Sequence, residues 1–306
     1  MGENKIQIKV KSGFIAVVGR PNVGKSTLIN SIIGQKIAAV SPRPQTTRKN
    51  QLGILTVTNQ YLNAQIIFID TPGIHRPLHK LGEKMNREAI ETLENNDLIL
   101  LIVDATQNPD EEDETIINLI SNLNRNIPVI IALNKIDLLN DSNIKKQNSF
   151  WKKRMPIAEI IPISAAMGRN FDELLNKIIA LLPEGMHFYP EDQVTDLYER
   201  EIAADLIRVS ALKILRDEIP HGIAIRIDQY SERDENGAYI EATVFVERES
   251  HKAIVVGKRG KMIKKIGTTA RLEIEKMSSR KIYLRLNVKV RKDWRNDEKV
   301  LRRFGY

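Results

Sequence analysis

The segment Gly19–Ser26 has the residue types and the spacing needed to hold a phosphate chain. Its sequence, GRPNVGKS, fits the pattern G-x-x-x-x-G-K-[ST]. In such a loop, backbone N–H groups cradle the phosphates at the start of a helix, where the helix dipole favours negative charge. We expect Lys25 to reach the β- and γ-phosphates and the Ser26 hydroxyl to ligate Mg²⁺.

Three further polar motifs follow strand-like apolar runs. In Asp70–Gly73, DTPG, the acid can hold Mg²⁺ and the last amide can sense a γ-phosphate. In Asn134–Asp137, NKID, the acid can accept hydrogen bonds from N1–H and the 2-amino group of guanine, a donor pair that adenine lacks. At Ser164-Ala165 a backbone amide can meet the guanine O6. Because each motif follows the carboxyl end of a strand, we expect all of them to line one ligand crevice at that edge of the sheet.

A second pattern lies at Ile254–Ile266, where apolar residues flank a GxxG turn, GKRG. The glycines of such a turn allow close approach of a sugar-phosphate backbone, and the basic pair between them can meet phosphates. The apolar residues Ile254, Ile263 and Ile266 are expected to pack two helices and to form the floor of a groove for single-stranded bases. On spacing alone, a basic helix–turn–helix surface is the alternative. The residues assigned to RNA binding are Ile254, Gly257, Lys258, Arg259, Gly260, Lys261, Ile263 and Lys264.

Composition limits the classes of protein that the chain can represent. It has 306 residues, no cysteine and a net charge of +8, so disulfides, thiolate zinc sites and a cysteine nucleophile are excluded. No apolar run approaches the roughly 18 residues of a membrane span, and the polar start lacks a signal-peptide core. The charge is uneven, with net +3 over 1–190, −8 over 191–249 and +13 over 250–306. The last region is a candidate surface for a polyanion.

The elements that must position these motifs alternate between strands and helices over the first ~180 residues, which is typical of a mostly parallel sheet covered by helices on both faces. Two strands joined by a turn near Thr58–Asn63 are expected to form an antiparallel hairpin. The predicted strands are Phe14–Val18, Gln51–Val57, Gln65–Ile69, Asp97–Val103, Val129–Leu133 and Ile157–Ile163. One predicted helix begins at Lys25. The others span Leu78–Asn95, Asp110–Leu123 and Asn170–Leu182.

The rest of the chain predicts a second, α+β domain. Its expected order is helix, strand, strand, helix, GxxG turn, helix, strand and helix, which is the order of a type II KH domain. The predicted elements are Thr195–Glu218, Ile223–Tyr230, Ala238–Glu247, helices flanking Gly257–Gly260, Lys281–Val290 and Trp294–Phe304, with a turn at Ser231–Gly237. We place the domain bounds at 12–183 and 194–306, with a linker at 184–193.

Together these motifs resemble the set found in translation-factor-related GTPases, and the whole chain resembles the Era family of bacterial GTPases with a C-terminal KH domain. The segment Gln45–Arg48, QTTR, is similar to switch I of that family. The stretches YPEDQVTD, VERESHKAIVVGKRGKMIKKIG and DWRNDEKVLRRFGY extend the resemblance to the C-terminus. The resemblance implies that Thr47 coordinates Mg²⁺ in the GTP state, with Thr46 as the alternative.

The resemblance also implies a function. It predicts a GTP-hydrolysing protein that binds the 3′ region of 16S rRNA and acts in 16S rRNA processing and small (30S) ribosomal subunit assembly. It further implies a monomer in the cytoplasm, with peripheral association at the inner face of the cell membrane. The implied catalytic residues are Lys25, Thr47, Gly73 and Asn22, and the implied Mg²⁺ ligands are Ser26, Thr47 and Asp70. The implied GTP-binding residues are Gly19, Arg20, Pro21, Asn22, Val23, Gly24, Lys25, Ser26, Thr27, Asp70, Thr71, Pro72, Gly73, Ile74, Asn134, Lys135, Ile136, Asp137, Ser164 and Ala165.

Two positions affect the expected rate of hydrolysis. Ile74 stands where Ras-like GTPases carry the glutamine that orients water, so intrinsic hydrolysis should be slow. Asn22 lies in the loop where related GTPases can ligate K⁺, and a K⁺ ion there would stabilise developing charge as an arginine finger does.

Two alternatives come from other classes of protein. A membrane-surface signalling GTPase would use 250–306 as a polybasic lipid patch, but such a patch does not need the GxxG turn. A tRNA-modification GTPase would need a cysteine near the C-terminus, and the chain has none. The five histidines show no metal-ligand spacing.

Overall fold

A computed structural model describes residues 10–40, 46–58, 62–74, 77–234 and 237–306. Gln45, His75 and parts of the predicted turns at 58–63 and 231–237 lie outside the described residues. Internal contacts divide the chain into two units. The first contains 1–34, 50–74 and 88–196, and the second contains 35–49, 75–87 and 197–306.

The first unit is built on a six-stranded sheet with the order β2-β3-β1-β4-β5-β6. Its strands are β1 Val10–Val18, β2 Gln51–Thr58, β3 Asn63–Asp70, β4 Leu98–Asp104, β5 Val129–Asn134 and β6 Glu159–Pro162. All neighbours pair in parallel except β2 and β3, which are antiparallel, so the predicted hairpin is confirmed. The last strand is shorter than predicted because a turn from Met155 to Ala158 precedes it.

The first five helices in chain order are α1 Lys25–Ile33, α2 Lys80–Glu94, α3 Glu111–Ser121, α4 Asp141–Arg154 and α5 Phe171–Leu181. Side chains of α3 and α4 pack on strands β4 and β5 in a core cluster that contains Trp151. The sequence pattern did not predict α4. Its inward side carries few apolar residues, chiefly Ile144 and Trp151, so the helical period is weak.

The segment 183–196 follows the first unit closely. The Ser12 amide donates to Pro183 O over 3.2 Å, and the Ile54 amide donates to Val194 O over 2.9 Å. The Gln65 side chain, which is buried, bonds the backbone of Phe188 and Tyr189. These bonds satisfy backbone groups that a free linker would leave to water.

The second unit contains a three-stranded sheet with the order β7-β8-β9, in which β7 and β8 are antiparallel and β8 and β9 are parallel. Its helices α6 and α8 share a core with one face of this sheet. The remaining elements are α6 Glu199–Ile214, β7 Ala224–Asp234, β8 Gly237–Val246, α7 Glu249–Val256, α8 Lys261–Ser278, β9 Lys281–Val290 and α9 Glu298–Arg303. The predicted type II KH order is confirmed.

Two predicted helices of this unit are shorter than expected. The helix α6 begins four residues late, because the Glu201 side chain accepts a hydrogen bond from the Tyr198 amide and fixes its start. The predicted C-terminal helix is divided into a 3₁₀ turn, Trp294–Asn296, and the helix α9. The Asp297 carboxylate caps α9 by accepting from the amides of Lys299 and Val300.

Within the described part of the chain, no helix combines the length and apolarity that a membrane crossing requires.

Candidate functional site

The loop between β1 and α1 has the backbone conformation of a phosphate cradle. Three of its residues have positive φ: Gly19 at 148°, Asn22 at 65° and Gly24 at 108°. A Cβ on Gly19 would lie 2.3 Å from Ile102 O, and one on Gly24 would lie 2.3 Å from the Asn134 amide nitrogen. Glycine is therefore required at both positions for backbone conformation and for space.

Lys25 lies at the start of α1 and is 7% exposed. Its ammonium donates to Gly19 O over 2.9 Å and to Arg20 O over 3.0 Å, so it is held inside the loop that it closes. Burial lowers the pKa of Lys25 to about 8, although the charge of Asp70 opposes this shift. A phosphate chain in the loop would give the ammonium an anionic partner and raise its pKa again.

The two first-unit residues assigned to Mg²⁺ are in direct contact. The Ser26 hydroxyl donates to Asp70 Oδ2 over 2.6 Å, and Asp70 is 1% exposed at the end of β3. A hydroxyl and a carboxylate are oxygen ligands of the kind that Mg²⁺ prefers, often with bound water. The pair therefore fits this ion. Among the described residues, no group of three or more histidine, cysteine or acidic side chains could form another metal site.

The DTPG segment approaches the phosphate loop closely. A Cβ on Gly73 would lie 2.9 Å from Pro21 N, so only glycine allows this contact without displacement. The Thr71 hydroxyl donates to Val17 O over 2.8 Å and attaches the segment to β1. Ile74 is 3% exposed and packs in the core, so its side chain offers no group to orient water.

The NKID and SA motifs, which the sequence assigns to base recognition, meet at the carboxyl ends of β5 and β6. The Asn134 side chain donates to Val23 O over 2.7 Å and accepts from the Ala165 amide over 2.9 Å. It thereby joins the phosphate loop to the SA motif. The Ser164 hydroxyl donates to Asp137 Oδ1 over 2.5 Å, which orients the carboxylate expected to bind guanine. Asp137 itself is exposed and accessible to a base.

Asp104, which belongs to none of the sequence motifs, supports this site. Asp104 ends β4 opposite Asn134 and accepts a hydrogen bond from Lys135 Nζ. Burial alone would raise the pKa of Asp104, but hydrogen bonds from Lys135 and Thr106 outweigh it and hold the pKa below its usual value. Its position at the end of an apolar strand, like that of Asp70, was a signal available in the sequence.

The side chain of Arg20 pairs with acidic residues at the start of α3. It pairs with Asp110, which caps α3, and its Nε lies 3.0 Å from Asp113 Oδ2. Asp113 is 2% exposed, and burial raises its pKa against the opposing charge of Arg20. A contact of Arg20 with a nucleotide would therefore use its backbone.

The remaining residues assigned to GTP lie in the same first-unit loops. Thr27 follows Ser26 in α1, Pro72 lies inside DTPG, and Ile136 of NKID is buried in the 3₁₀ turn Ile136–Leu138. Thr47 is not among the residues that this unit brings together, because 35–49 belongs to the second unit. There Thr47 is 7% exposed.

The GxxG turn of the second unit joins α7 to α8. Gly257 has φ 70° and ψ 170°, and a Cβ there would lie 2.6 Å from the Met262 Cβ. Arg259 and Gly260 also have positive φ, at 53° and 73°. The Gly260 amide donates to Gly257 O over 3.0 Å and closes the turn.

This turn presents cations beside an exposed apolar residue. Ile254 is 47% exposed, whereas Ile266 is fully buried and Ile263 packs half-buried against the core. Ile254 is therefore available to a ligand, and Ile266 only packs the helices. The exposed cations at the turn and the first turns of α8 are Lys258, Arg259, Lys261, Lys264 and Lys265.

Two segments from the GTPase part of the sequence pack inside the second unit. Arg48 is 3% exposed and donates to Ile223 O over 2.8 Å and to His221 O over 3.0 Å. Leu81 and Met85 join a cluster that contains the C-terminal residues. The clustered C-terminal residues are Trp294, Val300, Leu301, Phe304 and Tyr306. Sequence periodicity carries no signal for these contacts, because they join distant segments.

Family models match both parts of the chain. A 50S ribosome-binding GTPase model matches residues 14–135, and a KH domain model matches residues 218–295. The chain is 47% identical to GTPase Era of Halothermothrix orenii over 97% of this chain and 98% of that protein. It is 43% identical to GTPase Era of Geobacter metallireducens over 97% and 98% of the two chains.

Solved structures agree with this relationship. The chain superposes with a TM-score of 0.91 and 42% identity on Era in complex with MgGDPNP and nucleotides 1506–1542 of 16S ribosomal RNA, covering 97% of this chain and 99% of that one. It superposes with a TM-score of 0.90 and 42% identity on a variant of Aquifex aeolicus Era bound to GDP·AlF₄⁻, with the same coverage. The chain belongs to the Era family and is a GTPase with a C-terminal KH domain.

Proposed function

We propose that this GTPase binds the 3′ region of 16S rRNA and acts in 16S rRNA processing and 30S subunit assembly. The observation that carries the proposal is the near full-length similarity to Era in complex with MgGDPNP and a 16S rRNA fragment. The first unit has a nucleotide crevice and the second an exposed basic GxxG turn. The GTPase family model names the 50S subunit, but it covers only 14–135, whereas this similarity includes the KH domain.

The nucleotide would bind along the carboxyl ends of the parallel strands. The loop 19–26 would receive the phosphates through backbone N–H groups and the Lys25 ammonium. Asp137 would accept hydrogen bonds from N1–H and the 2-amino group of guanine, and the Ala165 amide would meet O6. Ser26 and Asp70 would hold Mg²⁺, with Thr47 joining them in the GTP state. The bound ion supplies charge neutralisation for the phosphates.

Hydrolysis would depend on positioning and on charge. Lys25 would stay protonated against the β- and γ-phosphates, and the Gly73 amide would contact the γ-phosphate. Ile74 is buried and cannot orient water, so the intrinsic rate should be slow. Asn22 would help to hold K⁺ and so add positive charge beside the phosphates.

The bound nucleotide would change the affinity for RNA through two segments, 35–49 and 75–87, that belong to the second unit. Residues 35–49 carry the expected Mg²⁺ ligand Thr47, and residues 75–87 follow the DTPG motif. The Thr46 carbonyl accepts a hydrogen bond from Arg208, and Lys36 pairs with Glu273 of α8. A γ-phosphate that rearranges either segment would therefore alter contacts of the RNA-binding unit.

RNA would bind along the GxxG turn, with Lys258 and Arg259 at phosphates and Ile254 beneath the bases.

We keep the domain bounds 12–183 and 194–306 and the linker 184–193 as proposals. A monomer in the cytoplasm, with peripheral association at the inner membrane face, is likewise proposed. A purely membrane-directed signalling role is not favoured, because the KH domain is an RNA-binding module.

The decisive experiment measures binding of the 1506–1542 fragment in the presence of a GTP analogue. Changing Lys258 and Arg259 to Asp reverses charge at two exposed positions without altering either glycine. It should weaken RNA binding by at least ~100-fold, because two phosphate contacts become repulsive. GTP affinity should stay unchanged.

The matched control reverses Lys276 and Lys281, two exposed lysines of the same domain, and should lose little affinity. Strong RNA binding by the Lys258/Arg259 variant, or no binding by the unaltered protein, would reject the proposal.

A further inference from the structure

The outward face of α4 carries an unneutralised basic surface in the GTPase part of the chain. The helix contains five basic residues against one acid, Asp141 at its first position. We define the α4 surface as the side chains that border one shallow, solvent-open depression. They are Ser142, Lys145, Lys146, Ser149, Phe150 and Lys153.

In the described part of the chain, a carboxylate of the neighbouring α3 and one of β6 pair with other cations. Glu114 of α3 pairs with Arg154, and Glu159 of β6 lies 2.8 Å from Lys177. Within the described parts of the chain, Lys145, Lys146 and Lys153 make no ion pair. Three free positive charges on one face favour a polyanionic partner.

The spacing of the charges suits a phosphate backbone. Because a helix rises about 1.5 Å per residue, Lys145 and Lys146 lie about 10 to 12 Å along the helix axis from Lys153, with Ser149 about midway between them. The two ends of this row can therefore meet separate phosphates of one strand. The serine adds a hydroxyl donor between the cations.

Phe150 provides an aromatic ring within this surface. It is 44% exposed, and its ring is nearly perpendicular to that of the buried Trp151, with centroids 5.9 Å apart and an interplanar angle of 81°. The neighbouring tryptophan therefore restricts the ring, and close to half of the residue stays exposed to solvent. Aromatic rings beside cations bind single-stranded nucleic acid, because bases stack on the ring while the cations meet phosphates.

A lipid surface fits these residues less well. Interfacial helices insert a continuous apolar face into the membrane. The apolar side of α4 is already used, since Ile144 and Trp151 pack in the protein core. The exposed side offers lysine, serine and one aromatic ring, which is the composition of a nucleic-acid surface.

We propose that the α4 surface binds a segment of ribosomal RNA outside the 3′ fragment that the KH domain would bind. This inference rests on the proposed function. It assigns a second, separate RNA contact to the GTPase part of the chain, so that assembled rRNA would be bound more tightly than the fragment.

The first test compares two triple variants. Lys145, Lys146 and Lys153 are changed to Ala in one, and Arg125, Arg169 and Lys177 are changed to Ala in the other. Both lose three cations from the first unit, but only the first alters the α4 surface. The probes are the 1506–1542 fragment, full-length 16S rRNA, and vesicles of 70% neutral and 30% anionic phospholipid.

The α4 variant should bind the fragment within about twofold of the unaltered protein, but should bind 16S rRNA at least ~10-fold more weakly at low salt. The slope of log K against log salt should fall by about 2 to 3, since three phosphate contacts are lost. Phe150→Ala should weaken 16S rRNA binding without changing this slope. Equal losses in the control variant, unchanged 16S rRNA binding, or a loss confined to vesicles would overturn the inference.

The second test uses the absence of cysteine in the chain. Ser149→Cys places a single thiol in the α4 surface, and Ser121→Cys places one on the exposed end of α3 as a control. An iron chelate tethered at position 149 should cleave 16S rRNA outside nucleotides 1506–1542, and the control should not give the same cleavage. Failure of the unaltered protein to bind any 16S RNA would reject the proposed function, whereas normal fragment binding without position-149 cleavage would reject only the α4 surface.

Discussion

The guanidinium of Arg48 lies 5.8 Å from the ring centroid of Trp294, although almost 250 residues separate them in the sequence. It also lies 6.0 Å from the centroid of Tyr306. Burial lowers the pKa of Arg48, with a smaller opposing contribution from Tyr306. The cation is retained by two backbone carbonyls and two aromatic rings, so Arg48, in the segment assigned to switch I, is attached to the C-terminal residues of the RNA-binding unit.

Arg48→Ala should therefore weaken the coupling between nucleotide and RNA. Couplings of this type usually change affinity by about 5- to 150-fold, and we expect the ratio of RNA affinities with a GTP analogue and with GDP to fall toward one. Fluorescence anisotropy of labelled 3′ fragment in each nucleotide state measures this ratio.

Arg226→Ala is the matched control for Arg48. Arg226 also lies over a ring of the same unit, 5.2 Å from the centroid of Phe245, but is outside the switch segments. Arg226→Ala should keep the wild-type ratio of RNA affinities with a GTP analogue and with GDP. An unchanged ratio in Arg48→Ala, with normal thermal unfolding, would contradict the assignment of Arg48 to coupling.

Asp137→Asn should change the base that the protein prefers. The carboxylate can accept two hydrogen bonds from guanine, and charged hydrogen bonds contribute about 1.5–3 kcal/mol each, so GTP affinity should fall by about 10²- to 10⁴-fold. Xanthine carries an oxygen in place of the 2-amino group and should gain affinity for the amide. Competition among GTP, XTP and ATP tests this preference, with Asp141→Asn as a surface control. Retained selectivity for GTP would show that another residue recognises the base.

GTP binding should depend on pH through Lys25. Its pKa in the nucleotide-free protein is about 8, and the charged form binds phosphate. Affinity should therefore be constant below pH 8 and should decline by up to about tenfold per pH unit above it, until the raised pKa of the complex is reached. The γ-phosphate is already fully ionised there, so it does not obscure the effect.

Calorimetry at pH 8.5 in buffers of different ionisation enthalpy should detect uptake of about three quarters of a proton per GTP. Lys25→Met should bind more weakly and take up none. Proton release, or no net transfer by the unaltered protein, would show that Lys25 is already charged in the empty site.

GTP turnover should be faster in KCl than in NaCl at equal ionic strength. No glutamine follows DTPG, and Asn22 is the candidate K⁺ ligand in the phosphate loop. The ion would stabilise developing negative charge, so we expect a stimulation of about tenfold or more. Asn22→Ala should abolish the difference while leaving GDP affinity nearly unchanged. Equal turnover in the two salts would exclude a catalytic role for K⁺.

Local sequence patterns were sufficient to predict the fold class and the order of elements, because both arise from residues that are close in the chain. The apolar runs that became β1 to β6 each precede a loop, and parallel pairing brings those loops to one edge. The motifs that carry Lys25, Asp70 and Asn134 are therefore predicted to share one crevice by the sequence alone. The positive φ of Gly257 and Gly260 is likewise what the GxxG spacing requires.

Long-range packing selected the partners that support those residues. Arg20 pairs with the start of α3, Asp104 holds Lys135, and Arg48 lies among residues from the opposite end of the chain. The α4 surface is a similar case, because its importance depends on which carboxylates are already paired. Local periodicity reports which face of an element is buried, but it carries no information on which distant charge or ring will neutralise a side chain. That choice is made only when the elements pack together.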